Sequence, residues 1–586
     1  MTGHTTPGQD RPLRVGNCSG FYGDRMSAMR EMLSDGPLDV LTGDYLAELT
    51  MLILARDRAK DPSTGYAKTF LRQMEECMGL ALDKGVRVVA NAGGLNPAGL
   101  AAALRKMAAQ LGLSPSIAYV EGDDLTAQAK DLGLGSPLAA NAYLGAFGIA
   151  AALTEGADIV VTGRVTDASV IVGPAVAHFG WGRTDCDQLA GATVAGHVIE
   201  CGTQATGGNF AFFTQIPDLL RPGFPIAEIH ADGSSVITKH PGTGGAVTTE
   251  TVLSQLLYEI SDARYAGPDV TTRLDTVQLA DDGPDRVRIR GVRGEAPPPD
   301  VKVSLNSLGG FRNEMTMVLT GLDIEAKADL TRRQFEHALA VRPAELTWRL
   351  ARTEHPDAPT QEQASARLTV IGRDRDQKKV GRVFSNAAVE VALAGYPGFH
   401  TTSPPGDAQA YGVFTAGYIA QSVPRHTVVL HDGRRVEIDS PAQTQTLEPL
   451  AAERSEPGGV APASASADSP AESRRVPLGE IAGARSGDKG GNANVGVWVR
   501  TDAAFAWLRE TLTPDVLREL LPETAGLPVT RAVLPNLRAV NFVIEGLLGE
   551  GVSYNARFDP QAKGLGEWLR SRTLGIPGYL LEEAGQ

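Results

Sequence analysis

The stretch LRVGNCSGFYGDRMSAMREML, residues 13–33, sets the reading of the fold. A short apolar run, LRVGN, gives way to a turn of glycine and small polar residues. Apolar residues at helical spacing follow in MSAMREML. The phrase returns. LDVLTG (38–43) leads into DYLAELTMLILARDRAK, and VRVVANA (86–92) into GGLNPAGLAAALRKMAAQLG. SIAYVEG (116–122) is a further strand, and ADIVVTG (157–163) leads into RVTDASVIVGPAVAHF. The runs do not alternate apolar with polar residues, as expected of strands covered by helices on both faces. Strand–helix repetition at this spacing predicts a parallel sheet in an α/β fold. Right-handed crossovers would bring every strand-to-helix turn to one carboxyl edge.

Working outward, residues 13–224 form this parallel-sheet core and residues 225–447 an α+β continuation. SSVITK (234–239), RVRIRGV (286–292) and MTMVLTG (315–321) there read as strands among turn signals. YPGFHTTSPPGDAQAYGVF (396–414) reads as an ordered irregular loop. Residues 448–475 are dominated by Pro, Ala, Ser, Gly and Glu. They hold too few large apolar groups to offset the entropy of ordering, so they read as a flexible linker. Beyond it, residues 476–580 alternate strand-like and helical patterns. This fits a separate small α+β domain of ferredoxin-like type.

A chain of 586 residues is too long for one core, and roughly three to four structural units are expected. The formal charge of −14 argues against a nucleic-acid partner, which would demand a surplus of Lys and Arg. The four cysteines form no CxxC pair and no disulfide framework. MTGHTTPGQDRP (1–12) has no apolar stretch of the secretory kind, and no apolar run approaches the length of a spanning helix. The expectation is a reduced, cytoplasmic, soluble protein with a small-molecule substrate and no membrane partner. Its many glycine-rich turns suit a homo-oligomer.

The candidate site lies on the carboxyl edge, where ligands bind in open α/β sheets. Its turns carry Asn17, Ser19, Gly20, Asp44, Asn91, Gly93, Gly94, Arg164 and Asp167. Gly, Asn and Asp are also ordinary turn formers and helix caps, so for Asp44 and Asp167 a cap and a site carboxylate both fit. Cys18 sits at an expected helix start, where a thiol pKa would fall, but its favoured reading is a small structural residue. Three residues separate His197 from Glu200, so on a helix they share a face. With Asp44 or Asp167 they would form an acid–base pair or a set of metal ligands. The spacing is not HExxH and no metal is assigned. Gly207 and Gly208 suggest close approach of backbone to a ligand or to another chain. His240 and His400 sit in similar Gly/Pro settings.

GNCSGFYGDR is neither GxGxxG nor a Walker loop, which argues against nucleotide hydrolysis. No motif names a cofactor. RSGDKGGNANVG (485–496) packs glycines around Arg485, Asp488 and Lys489. A plain hairpin would need only one Gly or Asn pair. Exposed N–H groups and two cations therefore favour binding of a phosphate or carboxylate.

Together, GNCSGFYGDR, LTGDYLAELTM, NAGGLNP, VTGRVTDAS, ECGTQATGGNF and RSGDKGGNANVG resemble the acyclic terpene utilization protein AtuA family. The resemblance runs over residues 13–447 and 475–577. It implies an α/β core, a ferredoxin-like domain, and a part in the breakdown of branched acyclic terpenes through CoA thioesters. It carries no catalytic residue set. The leading expectation is a lyase- or hydratase-type enzyme acting on a CoA thioester by hydration/dehydration or carbon–carbon cleavage. In that reading Asp44, Asp167, His197 and Glu200 are acid/base candidates, and Asn17, Ser19, Gly93 and Gly94 are donors. Arg485 and Lys489 would hold an anion. The alternatives are a non-catalytic partner of an acyl-CoA carboxylase and a metal-assisted hydrolase.

Overall fold

The computed structural model describes residues 11–448, 450, 452–457 and 473–584. It begins with β1 (Leu13–Asn17), α1 (Ala28–Ser34), β2 (Val40–Gly43), α2 (Glu48–Lys60), α3 (Lys68–Asp83), β3 (Arg87–Ala90) and α4 (Pro97–Gln110). Next come β4 (Ile117–Glu121), β5 (Ala139–Ala142), α5 (Phe147–Thr154), β6 (Ile159–Thr162), α6 (Ser169–Phe179) and α7 (Cys186–Ile199). β7 (Pro225–Ile229), β8 (Ser235–Lys239) and α8 (Thr249–Leu256) follow.

β1, β2, β3, β6 and β4 lie side by side and parallel. Their burial pattern explains the unbroken apolar runs. Successive side chains point to opposite faces. Val15, Val40, Val89 and Val160 pack on one face with α5, α6 and α7. Leu41, Val88, Ala90 and Val161 pack on the other with α1, α3 and α4. Antiparallel strands widen the sheet to eleven. β7, β8, Val287–Arg290 and Gln278–Asp281 extend it beyond β1, and Thr427–Val429 and Arg435–Glu437 extend it beyond β4.

The chain divides into two compact units. The first takes the chain up to Asn306, Phe414–Val552 and everything from Gln561 on; the second is Ser307–Val413 with Ser553–Pro560. In the second, Phe311–Thr320 pairs antiparallel with Ser365–Asp374, which pairs with Glu345–Ala351. Helices Ile324–Ala338 and Arg382–Glu390 pack Phe335 and Phe384 against this sheet. The 396–414 stretch, read as irregular loop, runs at its end into the strand Gln409–Ala420.

The ferredoxin-like segment has its own apolar core, yet it belongs to the same compact unit as the parallel sheet. Its sheet runs Ala452–Ser455, Val529–Leu534, Ala539–Ile544, Asn492–Val499 and Ala482–Lys489. Both ends of the stretch read as linker are therefore strands, since Ser473–Pro477 pairs with Thr573–Pro577. Residues 458–472, the centre of the expected linker, lie outside the described residues.

RSGDKGGNANVG does not form the open anion loop that its glycines suggested. Lys489 pairs with Asn492 across a tight Gly490–Gly491 turn, and the ladder runs unbroken to Ala482–Val499. The extra glycines serve packing. A Cβ on Gly487 would lie 2.4 Å from the Tyr258 ring, and one on Gly496 would lie 2.6 Å from Leu257 Cβ. They let the hairpin close onto the residues that follow α8.

Candidate functional site

Because β1, β2, β3 and β6 are neighbours in the sheet, their carboxyl-end turns are neighbours too. The turn after β2 presents Asp44, the turn after β3 presents Asn91, and the turn after β6 presents Arg164 and Asp167. Asn91 is fully buried. Its Nδ2 donates to Asp44 Oδ1 at 2.5 Å, and its Oδ1 accepts the Tyr45 N–H at 2.7 Å. Arg164 is buried, its Nη1 lies 2.7 Å from Asp167 Oδ1, and its guanidinium stacks 4.2 Å from the Tyr143 ring centre. α7 packs against β7 and β8, and its end is held at this edge by Asn17. There His197 Nδ1 meets Glu200 Oε1 at 3.1 Å, with both side chains buried. The i,i+3 spacing thus does place the two on one face.

Asn17 does not open into the site as a donor. Its Nδ2 donates to the Ile199 and Glu200 carbonyls at 2.7 and 2.9 Å, so it pins the end of α7 to β1. Ser19 Oγ donates to the Phe21 carbonyl, and Gly20 N–H to Asp24. Gly20 permits the β1 turn to approach Cys201, whose carbonyl carbon a Cβ would reach at 2.7 Å. Gly93 likewise admits the Thr162 carbonyl, and Gly94 takes a left-handed φ of 54° against Leu54. Gly207 turns left-handed after the short helix Gly202–Thr206, and Gly208 packs on Thr203.

Cys18 is buried, and burial raises its thiol pKa, the reverse of what a helix start suggested. His240 is buried with Nε2 3.0 Å from the Met32 carbonyl, and His400 Nδ1 lies 2.9 Å from the Gly398 carbonyl; neither joins the cluster.

The hairpin of the ferredoxin-like segment adds Arg485, Asp488 and Lys489, but it turns its cations inward. Arg485 Nη2 donates to Gln204 Oε1, and the guanidinium stacks 4.4 Å from the Tyr258 ring centre. Lys489 Nζ donates to the Glu259 carbonyl at 2.6 Å. Lys563 contacts the Tyr258 hydroxyl and lies 3.6 Å from Asp488.

Electrostatics follows from burial. Burial, then the charge of Asp167, pushes the Asp44 carboxyl well above the usual carboxylate range; Arg164 and Asn91 oppose this without cancelling it. Burial, then Asp167 and Glu259, does the same to Glu200. Burial lowers His197 to about 4, so its imidazole is neutral near pH 7. Two carboxyls whose burial favours the protonated form, and a neutral imidazole, thus sit near a fixed guanidinium. Glu200 Oε2 and Arg164 Nε are buried without a hydrogen-bond partner. Such atoms are costly unless something else satisfies them.

Reading the turns alone missed Asp123, which accepts the Arg164 N–H and Asn141 Nδ2, each at 2.8 Å, and is pushed by burial to about 7. Its place at the end of β4, on the same edge, was the available signal. It also missed Tyr143, Glu259 and Lys563. A cavity of about 400 Å³ is walled by Tyr143, Arg183, Asp269, Gln421 and His426, and it shares the Tyr143 ring with Arg164. Among the described residues no group of three His, Cys, Asp or Glu is arranged to hold a metal ion.

An open α/β sheet with a buried acid–guanidinium cluster on its carboxyl edge, joined to a ferredoxin-like sheet, defines a two-part class of α/β protein. Residues 13–430 match the family described as acyclic terpene utilisation family protein AtuA, and residues 476–574 match the AtuA ferredoxin-like domain. The chain belongs to this family. No curated protein and no solved structure matches it. No helix among the described residues is long and apolar enough to cross a membrane.

Proposed function

We propose that this chain is an enzyme of branched acyclic terpene or branched-acid catabolism. It acts on a CoA thioester by hydration/dehydration or carbon–carbon cleavage. The observation that carries the reading is two buried carboxyls, Asp44 and Glu200, within the field of the Arg164 guanidinium, which is itself paired to Asp167. Both reactions pass through an enolate of the thioester. They need a proton donor and acceptor and a fixed positive charge at the thioester oxygen. Glu200 and Asp44 supply protons, because burial favours the protonated form of each. Asp167, part exposed and paired to Arg164, is the accepting carboxylate. Arg164 stabilises the oxyanion, a role that Asn17 and Ser19 cannot take while they bond to backbone carbonyls. His197 is a neutral hydrogen-bond partner that orients Glu200. The cavity beside Tyr143 is large enough for an acyl chain, and its polar walls suit a carboxylated tail better than a bare hydrocarbon.

The test is incubation of the purified protein with branched enoyl-, 3-hydroxyacyl- and glutaconyl-type CoA thioesters, with products followed by mass. Gain or loss of one water identifies a hydratase, and two smaller products a lyase. Unchanged masses across the panel defeat the proposal. So does full turnover by alanine variants at Asp44, Asp167, His197 and Glu200.

A further inference from the structure

Glu259 follows α8 by three residues and has a φ of 58°, the left-handed region that a glutamate rarely occupies. Side chains of the ferredoxin-like sheet hold it there. Its N–H donates to Asn494 Oδ1 at 2.8 Å, and its carbonyl accepts from Lys489 Nζ. Asn494 in turn bonds Asn541, whose Nδ2 donates to the Ile260 and Ser261 carbonyls at 3.2 and 3.1 Å. Both asparagines are fully buried. Buried amides spent on three consecutive residues of another element amount to a clamp, since each would be costly if left unpaired.

The clamp fixes the Glu259 backbone, and so where its side chain starts. The side chains of His197 and Glu200 are 3% and 7% exposed, whereas that of Glu259 is 41% exposed. α8 packs against α7, with Leu256 and Leu257 in one core with Val198 and Ile199, so the Glu259 charge is felt by His197, Glu200 and Cys201. Along its own segment it faces Tyr258 and Tyr265. From the ferredoxin-like side come Lys563, 3.9 Å away, and Lys489, with Asp488 and Arg485 behind them. Asp44, Arg164 and Asp167 close the far side of the cluster.

We propose that Glu259 is a positioning residue of the cluster. The ferredoxin-like domain locks its carboxylate at the solvent side of the His197–Glu200 pair, and its charge governs that pair and Cys201 beside it. This inference rests on reading the cluster as a catalytic centre. It gives the ferredoxin-like domain a task that the parallel sheet cannot perform alone: completing the charge set around Glu200. Electrostatics supports it: burial dominates at all three groups, lowering His197 and raising Glu200 and Cys201, and the Glu259 charge adds an upward push at each, after Asp167 at Glu200 and after Glu200 at Cys201.

The test uses the full chain, with Cys201 as a reporter that needs no substrate. Its alkylation by iodoacetamide at pH 8.5 is followed site by site by peptide mass. Glu259→Gln keeps the shape and removes the charge, so alkylation of Cys201 should quicken several-fold, while Glu259→Asp keeps the wild-type rate. Glu259→Gly removes the carboxylate at a backbone position that glycine prefers, and should behave as Glu259→Gln in a well-folded protein. A wild-type rate in both the Gln and Gly variants overturns the proposal. With any CoA thioester that the wild type turns over, Glu259→Gln should move the basic limb of the pH–rate profile to lower pH, because Glu200 then ionises more easily. Glu259→Asp should restore it, and an unmoved limb overturns the proposal. A wild type inert on every thioester removes the proposed function instead, and the thiol rates alone then decide the role of Glu259.

Discussion

Two polar, glycine-rich regions of this chain look alike in sequence and do opposite things. The turns on the carboxyl edge of the parallel sheet gather the buried Asp44, Asn91 and Arg164 and the part-exposed Asp167 into one cluster. The 485–496 segment spends its glycines on a tight hairpin and its cations on Gln204 and the Glu259 carbonyl. Glycine content therefore does not separate a ligand loop from a packing seam. What separates them is whether polar side chains from several turns converge beside the glycines or apolar side chains fill the space the glycines leave. On the carboxyl edge, polar side chains converge. In the hairpin, missing side chains let Leu257 and Tyr258 in.

The largest effect should come from the edge. Glu200→Gln keeps the shape of a carboxyl whose burial favours its uncharged form, so the fold should hold while turnover falls by about 10²–10⁴-fold, the usual share of general acid–base catalysis. Steady-state rates beside a urea melt check both halves. Equal rates would reduce the edge to another packing seam.

Next is Asp123→Asn. Burial raises Asp123 from 3.8 to about 7, so between those values the folded state binds more protons than the unfolded state. Stability therefore falls as pH rises through that window, by about 4 kcal/mol for roughly three units at ~1.4 kcal/mol each. The variant should lose that slope. His197, lowered to about 4, acts oppositely: it costs stability as pH falls from 6.5. Urea melts from pH 5 to 8 on both proteins separate the two. Parallel curves would mean that Asp123 titrates normally.

Gly496→Val should cost about 1–3 kcal/mol, because its Cβ would lie 2.6 Å from Leu257 Cβ and overpacking strains neighbours that cannot yield. A chemical melt reads it. No loss of stability would return the hairpin glycines to a ligand role.

These contrasts also mark what could be read from the residues. The parallel strands were legible because burial on both faces leaves an unbroken apolar run, and their turns were legible because handedness sends all of them to one edge. The antiparallel widening was not, since β7 pairs with β1 across more than 200 residues and no local pattern names that partner. Asp44, Arg164, His197 and Glu200 were legible from topology and from helical spacing. Glu259 was not. Its conformation is imposed by Asn494 and Lys489, some 230 residues away, and nothing in the stretch around it announces a left-handed turn. Arg485 was seen as a cation, but its partner, Gln204, is visible only once the hairpin is docked.

That last residue gives the smallest effect and the sharpest division between the two regions. Arg485 is 6% exposed, and it joins a hydrogen bond to Gln204 with a stack on Tyr258. Lysine keeps the charge but loses the planar face and the fork, so Arg485→Lys should lower stability by about 1 kcal/mol. The loss should be independent of phosphate or CoA in the buffer, because the guanidinium is already committed within the protein. Were Arg485 an anion ligand, the result would invert: unchanged stability without anion, and weakened stabilisation by phosphate or CoA. Thermal melts of both proteins, with and without 10 mM of either anion (about an upper working concentration), therefore decide whether the hairpin is a seam or a site.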